Sequence, residues 1–367
     1  MKYLTLLLFM ALACVSADGQ RREKIKKDKF NSAKFKDYEL EIRKKRFDSM
    51  EFVYPVTFSF IDARADKSKL GFIRAGNGNE FFNMKFPIEA DEYINSRTHG
   101  ASKSSGSDPK KLLIVIRHFW LSQLIVNSSL LKNILLLDAK GYISYCYFSG
   151  EFYLGHAGRT QWLGRMDSVI HFHRWMGNVA PDLINDMLES AMDLGDSLAA
   201  HVAPTTASFA NQQLMDSLEN QFSYPILKTG APRRGIYLTY ENFLNDAPLD
   251  EEFELEEGGR EDYLRGKKTD TSITNKAWGY CDGKNIFKHF NEDYFMMVRV
   301  QNTFEVAGPR IIRQAYTIGR EFFILGVNTF LHGILSGPVS IFKMLSDKSI
   351  MKELIPYQLN IRDGTFY

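Results

Sequence analysis

The sequence predicts an α+β protein: an N-terminal domain of mixed helix and sheet, followed by a C-terminal antiparallel β-meander with an apolar helix. Three observations predict it. Short runs rich in β-formers recur between residues 54 and 172, a helical period replaces them at 180–200, and aromatic-rich runs separated by turn residues follow residue 276.

The chain opens MKYLTLLLFMALACVSADGQ, in which Lys2 precedes an apolar run from Leu4 to Ala13 and then small residues. That is the grammar of a secretory signal, and the run is too short for a membrane span. Residues 1–20 are therefore expected to direct export to the periplasm, the outer membrane or the medium. Cleavage at Ala17 or Gly19 competes with lipid attachment at Cys14, where Ala11-Leu12-Ala13-Cys14 approximates a lipobox. Residues 21–50 are dense in Lys and Arg and read as a basic tether or solvated first helix.

Over the whole chain 46 basic residues meet 44 acidic ones, a balance that argues against a nucleic-acid partner. Hydrophobic content of 44% supports a globular fold with room for two domains, expected at 51–230 and 231–367. Beyond Cys14 only Cys146 and Cys281 remain, and a disulfide between them competes with two buried free thiols.

In the first domain PVTFSFIDAR and LLIVIRHFWL read as strands, ILLLDAKGYISYCYF as a strand pair turning near Lys140-Gly141, and DSVIHFHRW as another strand. Leu183, Met187, Ala191, Leu194 and Leu198 recur at helical spacing, so a helix is expected over 180–200 with Pro181 in its first turn. SFANQQLMDSLENQF reads as a second helix. The run from Asn245 to Tyr263 carries nine acidic residues against one basic residue and reads as a solvated loop without calcium-loop spacing. AWGYC, KNIFKHF, DYFMMVRV and TFEVAG form the expected meander, and Asp363-Gly364 a final hairpin. Asp282-Gly283 predicts a type I′ turn, leaving Cys281 at a strand end beside an acid, an unfavourable place for a reactive thiolate.

Four patterns carry candidate chemistry. Gly195-Asp196-Ser197-Leu198 resembles a serine-esterase signature, but Ser197 falls within a helix and no Asp-x-x-His exists to complete a triad. His171 and His173 share a strand face and could ligate a metal, with Asp167 or His156 as the nearest further ligands. No metal or other cofactor is expected, because flanking a core Phe172 is the simpler role. Trp278, Tyr280, Phe287, Tyr294 and Phe295 could present a sugar-binding platform or form ordinary cross-strand pairs. The uncharged stretch Phe322 to Phe342 is long enough to contact or cross a membrane, yet is diluted by polar residues and glycine.

FIDARADKSKLGF, KLLIVIRHFWLS, RGIYLTYENFLNDAP, KAWGYCDGKNIF, VRVQNTFEVAG and PYQLNIRDGTFY together resemble a group of uncharacterised exported proteins of Bacteroidetes-type bacteria. The resemblance implies export and brings no site residues. The expected function is that of an exported, non-catalytic envelope or interaction protein whose partner is an envelope protein or polysaccharide. A hydrolase or metal-dependent enzyme and a glycan-binding module are the alternatives.

Overall fold

The computed structural model describes residues 32–43, 47–48, 50–53, 56–74, 80–98, 110–125, 141–201, 208–257, 262–267, 276–290, 293–309 and 354–367. The signal-like segment, Cys14, most of the strand expected before Gly141 and the stretch Phe322 to Phe342 lie outside them. Among the described residues the protein is α+β and mostly sheet. No described helix is long and apolar enough to cross a membrane.

Two compact units divide the chain. The smaller takes Lys228–Met297, and the larger takes Phe30–Leu227 together with Val298–Tyr367. Residues 298–309 and 354–367 therefore belong with the larger unit, whereas the sequence reading places them with 231–297. The reason is hydrogen bonding and charge pairing: Asn302 N–H donates to Ala65 O, Glu305 pairs with Lys69, and Gln358 donates to Asp66.

The larger unit is built on a mixed sheet of eight strands: β1 (Lys36–Glu39), β2 (Val56–Asp62), β3 (Gly71–Arg74), β4 (Phe81–Lys85), β5 (Lys110–Ile125), β6 (Tyr142–His156), β7 (Arg159–Phe172) and β8 (Ser208–Ala210). Their order is β1-β4-β3-β5-β6-β7-β8, with β2 also on β5. The long β5–β6–β7 meander is antiparallel, whereas β2 runs parallel to β5 from Lys110 to Ile116 and β3 joins β5 only at Leu121. One edge of β5 thus serves two strands in succession, with a gap between Ile116 and Leu121.

Strand β1 corrects the expected basic tether. Its lysines mask an alternation that continues beyond it in Leu40 and Ile42, both buried, and it pairs in parallel with β4. One face of the sheet buries Ile114, Ile116, Phe119, Leu121, Cys146, Phe148 and Phe152 against the apolar stripe of helix α2 (Met176–Ala200), which follows α1 (Ala90–Thr98). Helix α2 starts four residues before the expected position, so Pro181 lies inside it rather than in its first turn. The proline leaves the Gly177 carbonyl without its helical donor, and the Tyr38 hydroxyl donates to that carbonyl instead, at 3.2 Å. SFANQQLMDSLENQF divides into β8 and helix α3 (Asn211–Glu219) instead of forming one helix.

Helix α4 (Pro225–Lys228) leads to the smaller unit, where β9 (Gly235–Tyr237), helix α5 (Tyr240–Leu244), and strands β10 (Phe253–Glu257), β11 (Asp262–Gly266), β12 (Gly279–Cys281), β13 (Ile286–Phe290) and the start of β14 (Asp293–Val300) follow. β9, β12, β13 and β14 pair antiparallel in the order β9-β12-β13-β14. The acidic run is not simply a loop: β10 and β11 pair, burying Phe253 and Leu264 while the intervening glutamates take the other face. β15 (Thr303–Pro309) and β16 (Leu354–Gln358) return to the larger unit as an antiparallel pair. A bridge from Leu359 to Phe366 then closes the final hairpin, with Gly364 at φ 80°.

Candidate functional site

The face of the large sheet opposite α2 carries the charged residues. In β5, Leu113 and Val115 point to this face, and strict alternation would send His118 to the helix side. A bulge between Ile116 and His118 inserts Arg117 as an unpaired residue, so that Arg117, His118 and Trp120 all join the polar face. Strand register then sets Glu151 beside Val115, Ser149 beside His118 and Tyr147 beside Trp120, with Arg165 and Asp167 on the next strand.

Arg117 donates to Glu151 Oε2 at 2.5 Å and to Gln221 Oε1 at 2.6 Å. Tyr153 donates to the same carboxylate oxygen at 2.7 Å, and Arg362, from the turn after β16, donates to Gln221 Oε1. Burial alone would raise the Glu151 carboxyl, but the Arg117 and Tyr153 hydrogen bonds and the Arg117 and Arg362 charges outweigh it and hold it below its usual range. Tyr153 is pushed up to about 12 by burial and by its bond to Glu151. Burial and the neighbouring Arg117 charge lower Arg362. His118 is lowered to about 3, by burial first and then by the Arg64 charge, so its ring is neutral at pH 7; it packs on Tyr367 with centroids 4.2 Å apart.

A second buried cluster lies nearby in the same unit. Arg64 grips Asp62 through two nitrogens at 2.9 and 2.7 Å. Lys69 Nζ reaches Glu305 at 2.7 Å, Ser32 Oγ at 3.0 Å and Asp66 at 4.0 Å. A serine beside a lysine can form a nucleophile and base, but Lys69 here is the counter-ion of two carboxylates and Ser32 is closed to solvent. A wider depression of about 220 Å³ borders this cluster, and its Lys69 and Lys85 already answer Glu305 and Asp37.

The residues singled out in the sequence are scattered. His171 and His173 do lie together, ring centroids 5.3 Å apart, with His171 also against Tyr145. Asp167 is four residues back along β7 and bound to Arg165 at 2.6 Å, while His156 is exposed at the end of β6. Among the described residues no group of three or more His, Cys, Asp or Glu could hold a metal ion. Ser149 stands between His118 and Asp167 in the register, so the order of a triad, with the imidazole between nucleophile and acid, is not formed. Ser197 lies inside α2, exposed, and its carbonyl accepts a bond from His201 Nδ1.

No disulfide joins Cys146 and Cys281: both are buried free thiols. Burial raises both, for Cys281 with the added charge of Asp282 and against the Gly283 amide, so neither favours its thiolate. The turn after Cys281 is not type I′. Only Gly283 has positive φ, and the Asp282 carboxylate accepts from the amides of Lys284 and Asn285, making a four-residue loop. Tyr280, Tyr294 and Phe295 are buried, Phe287 stacks on Tyr280 at 4.6 Å, and Trp278 stacks on Phe243 at 4.4 Å. These aromatics pack together as cross-strand and core pairs, the reading that stood against a sugar-binding platform.

The same packing encloses Lys288. Its ammonium lies 4.8 Å from the Trp278 ring and donates to the carbonyls of Trp278 and His289 at 3.0 and 2.8 Å, and burial lowers it to about 8.

Sequence reasoning missed the Arg117, Glu151, Gln221 and Arg362 cluster because its members are far apart along the chain. The one local signal was Arg117-His118 interrupting an otherwise apolar strand. Comparison with protein-family models, curated proteins and solved structures finds no match for this chain. The resemblance to exported bacterial proteins thus rests on the segments quoted for it alone.

Proposed function

We propose that this is an exported, non-catalytic protein of the cell envelope, acting by binding an envelope protein or polysaccharide. The observation that supports the reading is the mutual pairing of its interior charges. Asp62 is held by Arg64, Glu151 by Arg117 and Tyr153, and Glu305 by Lys69, so groups of the types used in acid–base chemistry already serve the fold. The signal-like N-terminus supports export.

The test combines fractionation, the intact mass of the mature N-terminus and assays of the purified protein. The expected result is an envelope fraction, processing near Ala17 or at Cys14, and no turnover of ester, phosphoester, peptide or glycoside substrates. Stoichiometric zinc with a hydrolytic activity, both lost in His171→Ala/His173→Ala, would overturn it in favour of a metal-dependent enzyme.

A further inference from the structure

At the gap between β2 and β3 along β5, the larger unit holds a small, partly open cavity of about 20 Å³. The Ala63 amide donates to Ile116 O where β2 ends, and the Leu121 amide donates to Leu70 O where β3 begins. Between these points the loop after β2 contributes Arg64 and Asp66 to the lining, the end of β16 contributes Gln358, and the turn after it contributes Arg362.

What lines the cavity is rich in donors. Among the described residues, buried Arg117 Nε, Trp120 Nε1 and His118 Nε2 have no hydrogen-bond partner. Arg117 Nε and Trp120 Nε1 can only donate, and a neutral imidazole donates from Nε2 in one of its tautomers. Trp120 is 1% exposed, so water outside cannot satisfy its N–H. Charge points the same way. Arg64 is neutralised by Asp62, while Arg117 and Arg362 share the one Glu151 carboxylate, and Arg362 donates to the uncharged Gln221 oxygen. Asp66 also lines the cavity, yet its oxygens are occupied by the Ser68 amide and hydroxyl and by Gln358 Nε2, and Lys69 lies 4.0 Å away. Two guanidinia sharing one carboxylate, and unanswered donors on the residues that line a small volume, call for an acceptor carrying negative charge.

We propose that this cavity is a binding site for one monovalent anion of halide size, chloride in ordinary solution. A volume of about 20 Å³ admits one or two water-sized particles and excludes carboxylate-bearing metabolites.

Thermal unfolding of the full chain in sodium chloride or bromide, against sodium gluconate at equal ionic strength, tests the site, since gluconate supplies charge that does not fit. Halide is expected to raise Tm with a saturable dependence. The half-saturating concentration should rise about tenfold in Trp120→Phe, which keeps the ring packing and removes the donor, and the effect should vanish in Arg362→Gln. Bromide-grown crystals should show an anomalous peak in the cavity. If Arg362→Gln does not fold, the conservative Trp120→Phe comparison decides alone. Equal Tm in chloride and gluconate, density without an anomalous signal, or a bromide peak with a halide response unchanged by the variants would overturn the proposal.

Discussion

The bulge at Arg117 puts two successive side chains on one face, and His118 bears the consequence. Its folded value of about 3 lies below the ordinary value of 6.5, so between these the unfolded chain binds the proton first. Stability should therefore be lost as pH falls from about 6.5 towards 3, by up to about 1.4 kcal/mol per pH unit from this group. His118→Phe keeps a ring against Tyr367 and abolishes that loss, which denaturant unfolding at pH 7 and pH 4.5 will register as a shallower acid dependence than in the parent. Lys288 works at the opposite end of the scale. Folded it releases its proton at about 8 and unfolded near 10.5, so the unfolded state again binds more protons in between and stability should rise with pH from 8 to 10. Lys288→Met should lack that rise. A parent whose stability relative to Lys288→Met is flat across this window would mean that the Trp278 cage and the two carbonyls hold the ammonium as well as water does.

Element by element, the sheet is sensitive where backbones meet most closely. Gly71 joins β3 to β5 at a single position, and a Cβ there would lie 2.0 Å from the Leu121 carbonyl oxygen. Gly71→Ala should cost about 3 kcal/mol, because β3 or β5 must shift and both are fixed by the core. An unfolding midpoint within experimental error of the parent would show that β3 is not held against β5. The elements legible in the sequence were those whose apolar period stood alone: α2, β2, β5, β6, β7 and β12 to β15. β1, β10 and β11 were hidden because lysine or glutamate fills their alternate positions and mimics a solvated run, although Leu40, Phe253 and Leu264 are buried. Turn chemistry at Asp282-Gly283 was legible as a hairpin but not as its type, since two backbone amides captured the aspartate. The polar cluster was not legible at all from spacing, because a bulge and a returning C-terminal segment assemble it.

Across the larger unit, the Lys69 cluster fastens segments that are distant along the chain. Ser32 precedes β1, Asp66 and Lys69 follow β2, Glu305 lies in β15 and Gln358 ends β16, so one ammonium organises both ends of the unit. Removing it leaves two buried carboxylates without a counter-ion. Lys69→Met should cost about 3–5 kcal/mol, and adding Glu305→Leu should recover part of it by removing one stranded charge, while Asp66 keeps its bonds to Ser68 and Gln358. The pH dependence separates this account from a packing defect. Burial, its largest influence, raises Glu305 above its ordinary value of 4.5 despite Lys69, so the folded state holds that proton more tightly, and the stability it confers is present at acid pH and lost as pH rises through the folded value. Without Lys69 this carboxyl is more easily accommodated neutral than charged. The deficit of Lys69→Met relative to the parent should shrink as pH falls towards 4.5, and a deficit constant across that range would show that lost packing over the Phe72 ring, which Lys69 Nζ approaches to 5.3 Å of its centroid, and not stranded charge, is what the substitution costs.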